Sequence, residues 1–207
     1  MIPVVKESWT YIIPVALAAT LLFLLRSLVA GSVALLILVL FLYFFRDPER
    51  KIPTGEGLVL APADGKVVRI FFPRGEDGEE GIVVSTFLSL LDVHVNRSPV
   101  SGVVSGVTYK KGSFRLAFLD EASQENEQNI ISFDHGKDHI TVKQIAGLIA
   151  RRVVCWVKPN EEVEAGQRIG FIKFGSRVDL ILPPGSKIEV RKGDKVKGGL
   201  SIIGRLP

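Results

Sequence analysis

Val157-Lys-Pro-Asn-Glu-Glu-Val163-Glu-Ala-Gly166-Gln-Arg-Ile169 returns 33 residues later as Val190-Arg-Lys-Gly-Asp-Lys-Val196-Lys-Gly-Gly199-Leu-Ser-Ile202. Each copy reads as a strand, a polar turn, a short strand, a Gly turn and another strand. A second, shorter repeat lies upstream. Pro62-Ala-Asp-Gly65-Lys-Val67, followed by Ile70, matches Pro99-Val-Ser-Gly102-Val-Val104, followed by Val107. Duplicated units of this size predict a mainly β protein, its short strands folded into a compact, pseudo-symmetric sandwich or barrel.

Working outward, Leu58 to Ala61, Lys66 to Phe72 and Gly81 to Phe87 read as further strands, with Pro73 to Gly81 as a polar hairpin tip. Gln144 to Val154 mixes helical content with β-branched residues that oppose it. No long amphipathic helix is legible after Phe45. The chain has 207 residues, 47% of them hydrophobic and 23% charged, with mean hydropathy +0.30. Such hydropathy beside so much charge requires the apolar residues to be concentrated, and most lie before Arg46. The remaining ~160 residues suffice for a core of their own. A net charge of +4, spread along the chain, suits an anionic surface rather than nucleic acid, and no aromatic-plus-basic stretch offers a stacking platform. Cys155, the one cysteine, sits in an apolar run and reads as an inert core thiol.

Residues 1–50 are expected to form a hydrophobic, membrane-associated helical hairpin, and residues 51–207 a β-rich unit. Tyr11 to Leu25 is apolar apart from Thr20 and carries Pro14; Leu28 to Phe45 gives 18 residues without charge. The second run meets the length of a membrane span and the first is marginal. The turn is placed near Arg26 to Gly31. Arg46, Arg50 and Lys51 flank the exit, so the positive-inside rule puts both termini in the cytoplasm. A monotopic hairpin that only dips into the bilayer stays open.

The residues able to carry chemistry are few. In Phe171-Ile-Lys-Phe-Gly-Ser-Arg-Val-Asp179, Gly175-Ser176 reads either as a bulge between strands or as a serine poised to attack its own preceding carbonyl. Alternation through Leu90-Leu-Asp92-Val-His94-Val-Asn96 places Asp92, His94 and Asn96 on one strand face. Asp64 is either a turn aspartate or a carboxylate that orients a histidine. Asp64, His94 and Ser176 together would supply the carboxylate, imidazole and hydroxyl of an activated nucleophile. His135 and His139 read as residues of a charged turn. No spacing gathers the three or four ligands a zinc site needs, so no metal is expected.

The β pattern resembles the hammerhead fold of biotinyl and lipoyl carrier domains, although no modifiable lysine flanked by methionine is present. More specifically, Phe44-Phe-Arg-Asp-Pro48, Pro62-Ala-Asp-Gly65, Asp92-Val-His94-Val-Asn-Arg-Ser-Pro99, Asn126-Glu-Gln-Asn129 and Phe174-Gly-Ser-Arg-Val-Asp179 occur in an order that resembles the phosphatidylserine decarboxylase family, in its short bacterial or archaeal form. The resemblance implies a zymogen that cuts itself between residues 175 and 176. Ser176 Oγ would attack the Gly175 carbonyl to give an ester. β-Elimination and hydrolysis would then leave a β chain of residues 1–175 and an α chain of residues 176–207, headed by a covalent pyruvoyl group, with release of ammonia.

The resemblance further implies that this pyruvate-derived group forms a Schiff base with the amine of phosphatidylserine. It would act as the electron sink for loss of CO2, giving phosphatidylethanolamine. It also implies a heterodimer of the two chains, able to dimerise further, with no nucleic acid partner. The location implied is the cell membrane, the catalytic domain being on the cytoplasmic side, and Arg46, Arg50, Lys51 and Arg97 are candidates to hold the anionic lipid. By the same likeness Asp64 matches the family's relay aspartate, and His94 the first histidine of a His-x-x-His-x-Pro stretch whose second histidine is Arg97 here. An ether-linked substrate, archaetidylserine, shares the reacting headgroup. A non-catalytic hammerhead carrier or adaptor and a membrane-tethered metallopeptidase are the readings from other classes.

Overall fold

The repeats become the two halves of a β unit in the computed structural model, which describes residues 3–73, 81–113, 125–147, 153–173 and 175–207. The strands are β1 (Leu58–Leu60), β2 (Gly65–Phe71), β3 (Ile82–Leu88), β4 (Val95–Arg97), β5 (Gly102–Lys110), β6 (Gln128–His135), β7 (Asp138–Ile145), β8 (Val153–Cys155), β9 (Glu162–Val163), β10 (Arg168–Ile172), β11 (Ser176–Leu182), β12 (Lys187–Ile188), β13 (Lys195–Val196) and β14 (Ile202–Arg205). An antiparallel eight-stranded sheet runs β13-β2-β3-β11-β7-β6-β5-β9 and curls into a half-barrel. Two three-stranded sheets, β1-β14-β12 and β4-β10-β8, complete the unit.

The pseudo-two-fold is written in the hydrogen bonds. Val67 N–H donates to Asp194 O at 2.9 Å, and Val104 N–H to Glu161 O at 2.9 Å. Gly193 N–H donates to Val67 O, and Asn160 N–H to Val104 O, both at 2.8 Å. Leu60 N–H donates to Pro99 O and Arg97 N–H to Pro62 O, again both at 2.8 Å. The ladders β2–β3 and β5–β6 even shift register at matching places, Val67/Arg69 and Val104/Gly106. The repeated glycines follow from close approach: a Cβ on Gly65 would collide with the Phe87 carbonyl, and one on Gly102 with the Asp134 carbonyl.

The two halves are nested. Residues 95–172 supply β4–β10, whereas the other half combines β1–β3 with β11–β14. The chain therefore crosses between halves at residues 89–94 and again at residues 173–175. Where β6 turns directly into β7 through Gly136-Lys137, the matching ends of β3 and β11, Leu88 and Ser176, are paired but not joined by a turn.

The core lies on the inner face of the large sheet. Period-2 alternation brings Ile82, Val84 and Leu88, Val178, Leu180 and Leu182, Ile140 and Val142, and Ile131 and Phe133 to one side, and all are buried in one cluster. Cys155 packs against this cluster, its thiol directed to Val157 O at 3.3 Å. The chain separates into units Met1–Glu49 and Arg50–Pro207.

The N-terminal unit is a helix pair, α1 (Trp9–Leu24) and α2 (Leu28–Phe44), with a 3-10 turn at Lys6–Ser8 before α1. The turn between them is tighter than the sequence suggested. Arg26 takes φ +58°, and Gly31 already belongs to α2, where a Cβ would meet the Phe23 ring at 2.9 Å. The span lengths are also exchanged. Pro14 does not break α1, and with the 3-10 turn the first helix reaches 19 apolar-rich residues, Lys6–Leu24, while α2 is shorter. Leu17, Leu24, Leu28 and Val29 are among many large apolar side chains left exposed. An exposed apolar surface of this kind is compatible with membrane association.

Candidate active site

The inner face of the large sheet turns polar at one end. Continuing the alternation of the core, β11 ends inward at Ser176, β7 at Gln144 and β6 at Asn129. These are ladder neighbours: Ser176 faces Leu88, Val178 faces both Thr86 and Gln144, and Gln144 faces Asn129. All are buried.

Gly175 has φ +53°, a left-handed conformation that a side chain disfavours, although the space around it is open. Glycine is thus required here by the backbone rather than by crowding. Ser176 is fully buried, and its Oγ has no hydrogen-bond partner among the described residues. An unsatisfied buried hydroxyl costs about 1–3 kcal/mol, an imbalance that calls for an explanation.

The crossover carrying His94 runs beside this linkage, and the two are tied at both ends. Ser176 pairs with Leu88, and Ile172 N–H donates to His94 O at 3.3 Å. His94 is fully buried, its ring 6.4 Å from that of Phe171 between centroids. Its Nδ1 lies 2.9 Å from Asp92 O. A carbonyl can only accept, so Nδ1 carries a hydrogen, and in the neutral form of the ring the lone pair is on Nε2. That is the tautomer a proton acceptor needs.

Asp92 does not share a strand row with His94, because β4 begins only at Val95. The Asp92 carboxylate instead accepts from Ser89 N–H at 2.8 Å and Ser89 Oγ–H at 2.6 Å, closing a turn that aims its own carbonyl at the imidazole. Asn96 does face inward, and Gln144 Nε2 donates to its Oδ1 at 2.7 Å. Gln144 Oε1 in turn accepts from Asn129 Nδ2 at 2.9 Å. Sequence reasoning placed Asn96 beside His94 and Asn129 in a motif, but missed Gln144. The available signal was an amide at the next inward position after Ile140 and Val142.

Gly170 makes room for this amide chain, since a Cβ there would meet the Val154 carbonyl and, at 2.6 Å, Gln144 Nε2. Gly170→Ala is expected to destabilise the fold by about 1–3 kcal/mol through overpacking. A thermal melt would show this as a midpoint roughly 5 °C lower; an unchanged midpoint would mean that the amide chain yields without cost.

Asp64 is placed otherwise than a histidine-orienting carboxylate. Its oxygens accept from Arg50 Nη1 at 2.6 Å, Arg50 Nη2 at 2.9 Å and Gly198 N–H at 2.8 Å, and from no histidine among the described residues. Arg50 also donates to Gly198 O. The Asp64 turn nevertheless reaches the histidine strand through the Arg97 N–H to Pro62 O bond. Of the basic residues considered for lipid, Arg50 and Arg97 are buried, and Arg97 Nη1 donates to Gly166 O at 2.9 Å. Arg46 stacks on Tyr43 at 3.8 Å, and Lys51 is exposed.

His135 Nδ1 donates to Ser101 O at 2.6 Å. His139 lies 2.7 Å from Asp134 and holds that carboxyl below its ordinary pKa, chiefly through the hydrogen bond. Both are at the turn end of the β6–β7 hairpin, the opposite end of that ladder from Asn129 and Gln144. On the opposite face of the large sheet, Arg177 Nε donates to Asp179 Oδ1 at 2.6 Å and Nη2 to Ser85 Oγ at 2.9 Å, with the two charged side chains only 1% and 2% exposed.

Comparison with known proteins identifies the family. The phosphatidylserine decarboxylase family model matches residues 37–204. A phosphatidylserine decarboxylase proenzyme of Burkholderia pseudomallei (strain 1106a) is 42% identical over 206 residues, covering 99% of this chain and 95% of the relative. That of Chlorobium phaeovibrioides is 44% identical over 191 residues, covering 92% and 87%. That of Nitrosomonas eutropha is 43% identical over 205 residues, covering 97% and 94%. A left-handed glycine before a buried serine, with a buried imidazole on the neighbouring crossover, thus falls in a chain that belongs to the phosphatidylserine decarboxylase family.

Proposed function

We propose that this chain is the self-processing precursor of a phosphatidylserine decarboxylase, and that Ser176 becomes its pyruvoyl group. The observation that carries the reading is the fully buried, unpartnered Ser176 Oγ following a positive-φ glycine at the head of a central strand. In the first step the Ser176 Oγ–H proton is removed, Oγ bonds to the Gly175 carbonyl carbon, and the Ser176 nitrogen leaves that carbon and takes up a proton. Loss of the Ser176 Cα proton and of the Gly175 carboxylate from Cβ would then part the chains, and hydrolysis of the resulting dehydroalanine would leave the pyruvoyl group and ammonia. His94 Nε2 is the lone pair assigned to the Oγ–H proton. Asp64 is assigned a positioning part, fixing the turn that braces the strand behind His94.

The site fits the prosthetic group. β3 and β7 would hold the new N-terminus of β11 on both edges, and burial would keep water from it. When formed, the pyruvoyl carbonyl supplies an electron sink for the pair released with CO2, work that no ordinary side chain can do. The substrate we assign is phosphatidylserine, with the helix pair anchoring the enzyme in the cell membrane and the β unit on the cytoplasmic side. The processed enzyme would then be a heterodimer of two chains cut from one precursor.

An intact-mass measurement tests this. It should give chains of residues 1–175 and 176–207, the smaller with a blocked N-terminus. A single 22.7 kDa chain in freshly purified, lipid-active protein would sink the proposal. His94→Ala should abolish cleavage, or leave a cleaved enzyme slower by about 10²–10⁴-fold, the usual worth of a general acid or base. Normal processing on a gel together with normal product formation would remove His94 from the site.

A further inference from the structure

Asn129, Gln144 and Asn96 form a directed chain of amides. Asn129 Nδ2 donates to Gln144 Oε1, and Gln144 Nε2 donates to Asn96 Oδ1. Each oxygen is thereby assigned as acceptor, so Asn96 must present its nitrogen at the free end. That Nδ2 is buried, on a fully buried side chain, and has no partner among the described residues. Ser176 Oγ is in the same condition. The two atoms are not hydrogen-bonded to each other. Ser176 is the diagonal neighbour of Gln144 across the β11–β7 ladder, a separation of roughly 7–8 Å between backbones. The unpartnered amide nitrogen and the Ser176 hydroxyl are thus linked through Gln144 at the same polar end of the sheet.

We infer that Asn96 Nδ2 donates a hydrogen bond to the carboxylate of the serine headgroup. The inference rests on the proposed function, in which the headgroup amine is bound at residue 176. The carboxylate is attached to the same carbon as that amine and must lie close by. The phosphate is further along the headgroup and must point out of this buried site toward the lipid. A neutral donor also suits the chemistry. A lysine or arginine would hold the carboxylate as an ion pair and stabilise the ground state against loss of its charge, whereas an amide fixes the direction of the carboxylate at smaller cost to the departing CO2. The Gln144 and Asn129 amides keep the donor from rotating away.

The test uses the full chain in detergent with phosphatidylserine and phosphatidylethanolamine. Both lipids carry the amine, but only the first has the carboxylate. Asn96→Leu should cleave normally and raise KM for phosphatidylserine about tenfold, the worth of one hydrogen bond to a charged group. Its rate of reductive capture of phosphatidylethanolamine by cyanoborohydride should stay within about twofold of the parent, since no lost contact touches that lipid. Asn96→Asp keeps an acceptor for Gln144 and puts like charge against the carboxylate; its KM should rise further, while ethanolamine-lipid capture persists. Equal loss with both lipids, an unchanged KM, or failure of both variants to cleave would overturn the inference, the last by assigning the amide to processing. Parent protein that stays in one piece, or captures neither lipid, would instead remove the reading of Ser176 on which the inference stands.

Discussion

Ser176→Ala is expected to give one uncut 22.7 kDa chain that folds normally and shows decarboxylase activity at the assay floor. The two outcomes separate because of how Ser176 is bonded. Its Oγ makes no hydrogen bond among the described residues, so removing it breaks nothing in the fold. It relieves a buried unsatisfied group worth about 1–3 kcal/mol. Circular dichroism should remain that of a β protein with a cooperative melt, no less stable than an uncut parent. What is lost is the atom proposed to attack the Gly175 carbonyl, and with it the proposed precursor of the electron sink. A Ser176→Ala chain that is cut, or one that stays whole and still forms phosphatidylethanolamine, would mean that the chemistry resides elsewhere.

The next largest effect is expected three residues along, on the other face of the same strand. Asp179→Ala leaves the Arg177 guanidinium, 1% exposed, without the carboxylate that it meets at 2.6 Å. Breaking a buried ion pair from one side costs about 3–5 kcal/mol, most of it for the stranded charge. For a chain of this size that is a fall of roughly 10 °C in melting temperature. The double change Arg177→Met, Asp179→Leu should recover most of the loss, because it removes both charges and refills the volume. A double variant as unstable as the single one would show that the pair is needed for the strand itself and not merely to neutralise itself.

The architecture was legible where it repeats. The copies at Val157–Ile169 and Val190–Ile202 contain β9 and β13, and Gly65 and Gly102 open β2 and β5 at the same bond pattern. Strand order was not legible. Placing β11 between β3 and β7 depends on pairing Ser176 with Leu88 and Arg177 with Ile145, contacts between segments far apart in sequence that no local pattern encodes. The same division holds at the candidate site. Gly175, Ser176 and His94 stand out in the sequence as candidates because backbone need and side-chain chemistry coincide in short motifs. The chain from Asn129 to Asn96 was not, since three amides on three strands meet only once the register is set. Asp64 shows a further limit: a carboxylate before glycine signals a turn, but the sequence does not reveal that Arg50 and Gly198 N–H take up its oxygens. In the helix pair, Pro14 was weighed as a breaker, yet α1 runs through it.

The nesting of the halves bears on when the chain could be cut during synthesis. β11 leaves the ribosome after the inserted half is complete, but its own half lacks β12, β13 and β14 until residues 187–205 emerge. Ser176 takes its register from β3 and β7, both made earlier, while the half that contains it is closed by β13 on β2 and β14 on β1. For the proposed cleavage this means that a polypeptide stalled short of β12 would carry the serine between its two neighbouring strands, but in a half still missing three strands.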